Sequence, residues 1–176
     1  MAIYQFEDRI PSIGQDTYVH PSASIIGDVS IGEGCWIGPG ACIRGDYGRV
    51  IIGNCTSIEE NVVVHARPGE QTTIGDWVTI GHAAVIHNAT IRDYAVIGMR
   101  AVVSDWATVG VWSVVAEGAV VRQNQEVPAG TIAVGVPARL LDKGVNDDHR
   151  AQWTEFKKIY VDLARRYPGG LRTLQP

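Results

Sequence analysis

The sequence is short of positive charge, paired cysteines, phenylalanine and long apolar runs, and each shortage removes a class of function. Fifteen Lys and Arg against 19 Asp and Glu leave a net charge of -4, with no basic field to hold nucleic acid or an anionic membrane surface. Cys35, Cys42 and Cys55 are odd in number and show no C-x-x-C spacing, which argues against a disulfide framework or a cysteine metal knuckle and leaves them as small, mostly buried residues. No run approaches the roughly 18 to 20 apolar residues of a membrane span. The start, MAIYQFEDRIP, has acids where a signal peptide has a basic region and an apolar core. A cytoplasmic protein without nucleic-acid or membrane partners is expected, and 176 residues allow a single core.

What is abundant is glycine, at 20 residues, together with Val, Ile and Ala. Aliphatic residues recur every six positions at Val19, Ile25, Ile31, Ile37 and Ile43, again at Ile52, Ile58 and Val64, and at Ile74, Ile80 and Ile86. From Ile91 the same phase runs through Ile97, Val103, Val109, Val115, Val121 and Val127. A helix needs spacings of three and four, and a long amphipathic strand alternates every two residues, so neither template fits. A short strand and a tight turn every six residues does fit, with three units closing a triangular coil and parallel coils stacking so that the aliphatics fill a narrow prism. Small residues such as Gly32, Gly38 and Gly98 then relieve crowding at the corners, where glycine also permits otherwise closed backbone angles. Such coils bury a core only by stacking, so about 19 to 134 must form together. A β-sandwich is the poorer alternative, because its turn signals come at longer spacing without a fixed phase.

The repeat stops after Val136-Pro137-Ala138-Arg139-Leu140-Leu141. Trp153, Phe156, Tyr160, Leu163 and Tyr167 follow at helical spacing, with acids at the start, Lys157, Lys158, Arg165 and Arg166 later, and Pro168-Gly169-Gly170 as the stop. The expected organisation is a β-helix over 1–141 and a C-terminal helix and tail over 142–176. The aromatic stripe is read as a packing face, against the prism or a neighbouring subunit.

Counting three units per coil, with insertions in 44–51 and 66–73, puts Arg44, His65 and His87 in one column, each just after an aliphatic of one prism face. His82 follows Ile80-Gly81 on the adjacent face. If prisms associate about a threefold axis, His82 of one chain can meet His65 and His87 of the next. Three neutral imidazoles with an open coordination position make a catalytic zinc site, and a bound divalent metal brings the pKa of water toward neutrality. His20 and His149 lie outside the central coils and are read as structural.

Arg44-Gly45-Asp46, the stretch from Ile58 to His65 and the stretch from Ile80 to His87 resemble the γ-class carbonic anhydrase family of hexapeptide-repeat proteins. Tyr18-Val19-His20-Pro21-Ser22-Ala23 and Gly135-Val136-Pro137-Ala138 bring the chain near the branch containing the phenylacetate-degradation and carnitine-operon proteins. The resemblance implies an all-β fold, a single-stranded left-handed parallel β-helix with a C-terminal α-helix. It also implies a homotrimer, metal ligands His65, His87 and a neighbour's His82, and an Arg44–Asp46 pair at the subunit interface. Glu59 stands where the family commonly has a glutamine that positions the metal-bound hydroxide, and a carboxylate there adds charge and donates nothing when ionised. Glu70 is a weak candidate for proton relay, and a solvated loop residue is the preferred reading.

Three functions follow from this reading. The first is reversible hydration of carbon dioxide to bicarbonate on Zn2+, with Fe2+ or Co2+ acceptable to the same imidazoles. The second is acyl transfer or thioester hydrolysis on acyl-CoA, for which the sequence shows no distinct basic cluster to hold phosphates and offers only Arg67, Arg92 and Arg100 as contributors. The third is a catalytically silent metal-binding trimer.

Overall fold

The aliphatic ladder explains why the chain coils. In the computed structural model, which describes residues 2–174, all eighteen ladder residues are buried, Val19 being the most accessible at 6%. Burying an Ile or Val side chain contributes about 1.5–3 kcal/mol, so the column of them sets the course of the chain. The molecule is the single-stranded parallel β-helix that the period dictates, followed by one α-helix. The regular coils advance 18 residues per turn, as in the pairing of Ile97 with Val115 and of Val103 with Val121.

Three faces result. The first stacks Ile25, Ile43, Val64, Ile86, Val103 and Val121. The second stacks Ile31, Ile52, Ile74, Ile91, Val109 and Val127. The third stacks Val19, Ile37, Ile58, Ile80, Ile97, Val115 and Ala133. Two strands, Ser24–Ile31 and Cys42–Ile52, run from the first face into the second and pair along most of their length. Strand Ala2–Tyr4 pairs with Ser24–Ile26, and Arg139–Leu140 closes the far end antiparallel to Ala133 and Val134.

The corners bear out the glycine reading at Gly34, Gly40 and Gly118, whose φ is positive, and place bulky residues in the same conformation elsewhere. Left-handed backbone is adopted at Trp77, Tyr94 and Trp112, with φ of 54°, 59° and 57°, whereas Gly98 is needed because a Cβ there would lie 2.5 Å from the Glu117 backbone nitrogen. At Trp77, Tyr94 and Trp112 the rings stack along the corner, with centroids 6.4 and 4.7 Å apart, and this packing offsets the roughly 1–2 kcal/mol cost of left-handed backbone. The cysteines are free, Cys35 buried and Cys42 and Cys55 half-buried. Burial pushes the Cys35 thiol up to about 11, which makes it inert as a nucleophile.

Helix α1 spans Asp147–Gly170, capped by the Asn146 side chain, which accepts from the His149 N–H at 2.9 Å. It packs against the third face, where the Trp36 ring lies 5.3 Å from Tyr160 and 5.7 Å from Tyr167. Two details correct the sequence reading. The helix continues through Pro168 instead of stopping there, since the proline costs the Ala164 carbonyl its i+4 donor near an end that already frays, and the Leu171 N–H still reaches the Tyr167 carbonyl at 3.0 Å. The packing stripe is rotated, so that Lys157 and Ala164 are buried while Phe156 is 45% exposed. Among the described residues no helix is long and apolar enough to cross a membrane.

Candidate functional site

Register places the histidines. Arg44 pairs with His65, and His65 with His87, so the three side chains leave the first face one above another. His65 Nδ1 and His87 Nε2 face each other at 3.2 Å. The other nitrogen of each ring is held by a carboxylate: His65 Nε2 lies 3.0 Å from Asp46 Oδ1, and His87 Nδ1 lies 2.6 Å from Asp105 Oδ1. An ionised carboxylate only accepts, so a neutral His65 donates from Nε2 and a neutral His87 from Nδ1. Two lone pairs then point at one another, an arrangement that favours a cation between them.

Asp46 is itself held. Arg44 donates to its Oδ2, the Tyr47 N–H donates to Oδ1 at 3.0 Å, and Arg9 donates to its main-chain carbonyl at 2.7 Å. Burial pushes the Asp46 carboxyl up, but the hydrogen bonds from Arg44 and His65, the Arg44 charge and the Tyr47 N–H outweigh it and hold its pKa below the ordinary value. Gly45 lets this strand lie close to its neighbour: a Cβ would meet the Asp28 carbonyl oxygen at 2.3 Å.

His82 lies elsewhere in the chain, after the third-face strand Thr79–Ile80. Its Nε2 is 3.1 Å from the Glu59 carboxylate and its Nδ1 2.5 Å from the Glu60 carboxylate. These three side chains form a group able to hold an ion, and among the described residues His82 is not brought together with His65 and His87. Glu59 is buried, and desolvation raises its pKa further than a hydrogen bond from Tyr160 and the His82 charge lower it. Beside them a groove of about 490 Å³ runs between α1 and the third face, lined by Met99, Trp153, Phe156 and Tyr160 among others.

The remaining candidates separate. Glu70 accepts from the Asn88 amide at 3.0 Å and from the Trp106 indole at 2.7 Å, bonds that lower its pKa and suit it to fastening the 66–70 loop instead of carrying protons. Arg67, Arg92 and Arg100 follow the first, second and third faces and occupy different corners, so they do not gather into one phosphate-binding cluster. His20 bonds Ser22 at 2.8 Å, and His149 packs beside Trp153 and lines the groove. Asp105 escaped the sequence reading. Its only signal is the 18-residue offset from His87, one full coil.

A family model described as bacterial transferase hexapeptide (six repeats) matches residues 11–45. The mitochondrial γ carbonic anhydrase 1 of Arabidopsis thaliana is 40% identical over 166 residues, which cover 91% of this chain and 60% of that protein. The chain thus spans about three fifths of the length of this relative. The carnitine operon protein CaiE of Salmonella newport is 37% identical over 177 residues, covering 100% of this chain and 88% of CaiE. Among solved structures, a hexapeptide transferase family protein from Anaplasma phagocytophilum superposes with a TM-score of 0.89 at 31% identity, covering 94% of this chain and 98% of that one. With coils, histidine column and full-length similarity in agreement, the chain belongs to the γ-class carbonic anhydrase-like family of hexapeptide-repeat proteins.

Proposed function

We propose that the protein is a metal-dependent enzyme of reversible carbon dioxide hydration, working at sites shared between subunits of a homotrimer. The observation that carries this reading is the pair of imidazole nitrogens facing each other at 3.2 Å, each ring anchored through its far nitrogen by a carboxylate. Metal-ligating histidines are anchored in this way, and the spacing lets two ligand atoms share one ion. His65 and His87 of one subunit and His82 of the next would complete three imidazoles around it. When bound, a divalent ion such as Zn2+ supplies the Lewis acidity that makes water a nucleophile at neutral pH.

The chain's own groups do the rest. Asp46, fixed by Arg44, accepts the His65 Nε2 proton and keeps Nδ1 free. Glu59, its pKa raised by burial and its Oε2 3.1 Å from His82 Nε2, is the group proposed to take up the proton that hydration releases. The third face and α1 form a groove beside Glu59 and His82, with His82 itself exposed. The test is CO2 hydration by metal-replete protein. Acceleration that disappears together with metal content in His87→Ala is expected, and a metal-replete wild type no faster than buffer would overturn the assignment.

A second reading, acyl transfer or thioester hydrolysis on acyl-CoA, is favoured by the groove beside His82, which is far larger than carbon dioxide needs, and by the similarity to a hexapeptide transferase family protein. Release of free thiol from acyl-CoA alongside an inactive CO2 assay would favour it.

A further inference from the structure

The His87 ring is held from the side away from His65 by the Asp105 carboxylate of the next coil, which is held in turn by Arg67 from the loop after His65. Asp105 Oδ1 lies 2.6 Å from His87 Nδ1, and Asp105 Oδ2 accepts from Arg67 Nη1 at 2.8 Å. The Arg67 guanidinium sits 5.2 Å from the centroid of the Trp106 ring, and Trp106 is tied in turn to Glu70. Each carboxylate oxygen of Asp105 thus has its own partner, so the group has little freedom to rotate.

We propose that Asp105 is a positioning residue for metal binding: it fixes His87 as the Nδ1–H tautomer and turns the Nε2 lone pair toward His65, with Arg67 holding Asp105 in place. The inference rests on the reading of His65 and His87 as metal ligands. A neutral imidazole has one donor and one acceptor nitrogen, and a carboxylate at Nδ1 leaves only Nε2 to accept. In water the Nε2–H tautomer predominates, which would aim a proton at the ion. Removing Asp105 therefore releases both the tautomer and the ring angle. A purely structural Asp105, serving only the corner turn, would leave both unchanged.

The experiment uses the full chain in three forms: wild type, Asp105→Ala and Asp105→Asn. Long-range nitrogen–proton NMR on metal-free protein at mildly alkaline pH reads the tautomer. Competition with a chromophoric chelator reads Zn2+ affinity, and the visible absorption of the Co2+ form reads ligand geometry. Wild type is expected to show His87 protonated at Nδ1. Asp105→Ala should move the proton to Nε2, weaken Zn2+ binding by about 10- to 100-fold and alter the Co2+ bands. Asp105→Asn keeps an acceptor and the shape of the corner, so it should retain the tautomer and lose less affinity. Arg67→Gln, which frees Asp105 without removing it, should fall between wild type and Asp105→Ala. An Asp105→Ala protein with the wild-type tautomer and a Zn2+ affinity within about threefold of wild type overturns the proposal. A wild type that binds no Zn2+ yet shows the Nδ1–H tautomer overturns the metal reading while upholding the grip of Asp105 on the ring. If Asp105→Ala does not fold, the tautomer and Co2+ spectrum of Arg67→Gln decide in its place, and wild-type values there overturn the proposal.

Discussion

Lys157 of helix α1 points its ammonium group onto the third face of the prism, 3.1 Å from the Thr79 hydroxyl and 3.3 Å from the Ala95 carbonyl. Burial pushes its pKa down to about 7, partly offset by the Glu59 charge. Between that value and the ordinary 10.5, the unfolded chain binds a proton that the folded chain lacks, so the Lys157 contribution to stability rises with pH over this window. Below about pH 7 the full penalty of a buried ammonium applies. Lys157→Met should melt higher at neutral pH and show a flatter stability profile between pH 7 and 10 than wild type. Urea unfolding of both proteins at two pH values checks this, and equal slopes would show that the lysine is effectively solvated.

Sharing of the site between subunits has a direct signature. His82→Ala and His87→Ala should each be inactive alone, since every interface then lacks one imidazole. Unfolded together in equal amounts and refolded, they should regain about a quarter of the wild-type metal sites and rate, because random assembly pairs an intact His82 with an intact His65–His87 pair at that frequency. A mixture as inactive as its components would refute the shared site.

Glu59→Gln tests Glu59 as the proton acceptor beside His82. Glutamine keeps an acceptor for Tyr160 but has no carboxylate to take up a proton at that position. The expected result is unchanged metal content and a kcat for CO2 hydration lower by roughly tenfold, equivalent to about 1.4 kcal/mol. A rate equal to or above wild type would show that the released proton leaves through another group.

Gly45→Ala should damage fold and site together. The added methyl would press on the Asp28 carbonyl and displace Arg44 and Asp46 on either side, costing about 1–3 kcal/mol and loosening His65. Gly169→Ala, where nothing lies within 4 Å, is the control and should be neutral or slightly stabilising in urea unfolding.

The coils were legible in the sequence because each buried aliphatic reports one turn of a regular object, and the register of Arg44, His65 and His87 follows from counting alone. The position of His82 on another face was legible for the same reason. Asp105 was not, since carboxylates at corners are common and only the stacked coil shows which one reaches a histidine. Lys157 was misplaced because helical periodicity locates a stripe only to within a residue or so, and a long side chain can bury its head where the facing surface offers a hydroxyl and a carbonyl. Glu59 is recognisable as a departure from its family, but its burial depends on α1, which begins 88 residues later.

The antiparallel strand Arg139–Leu140 reverses chain polarity at the last coil. A bare coil edge offers an open row of amides and carbonyls in the geometry that the next coil of another molecule would need, which is an invitation to fibrous growth. The reversed strand spoils that template on the third face, which opposes end-to-end growth of the stack there.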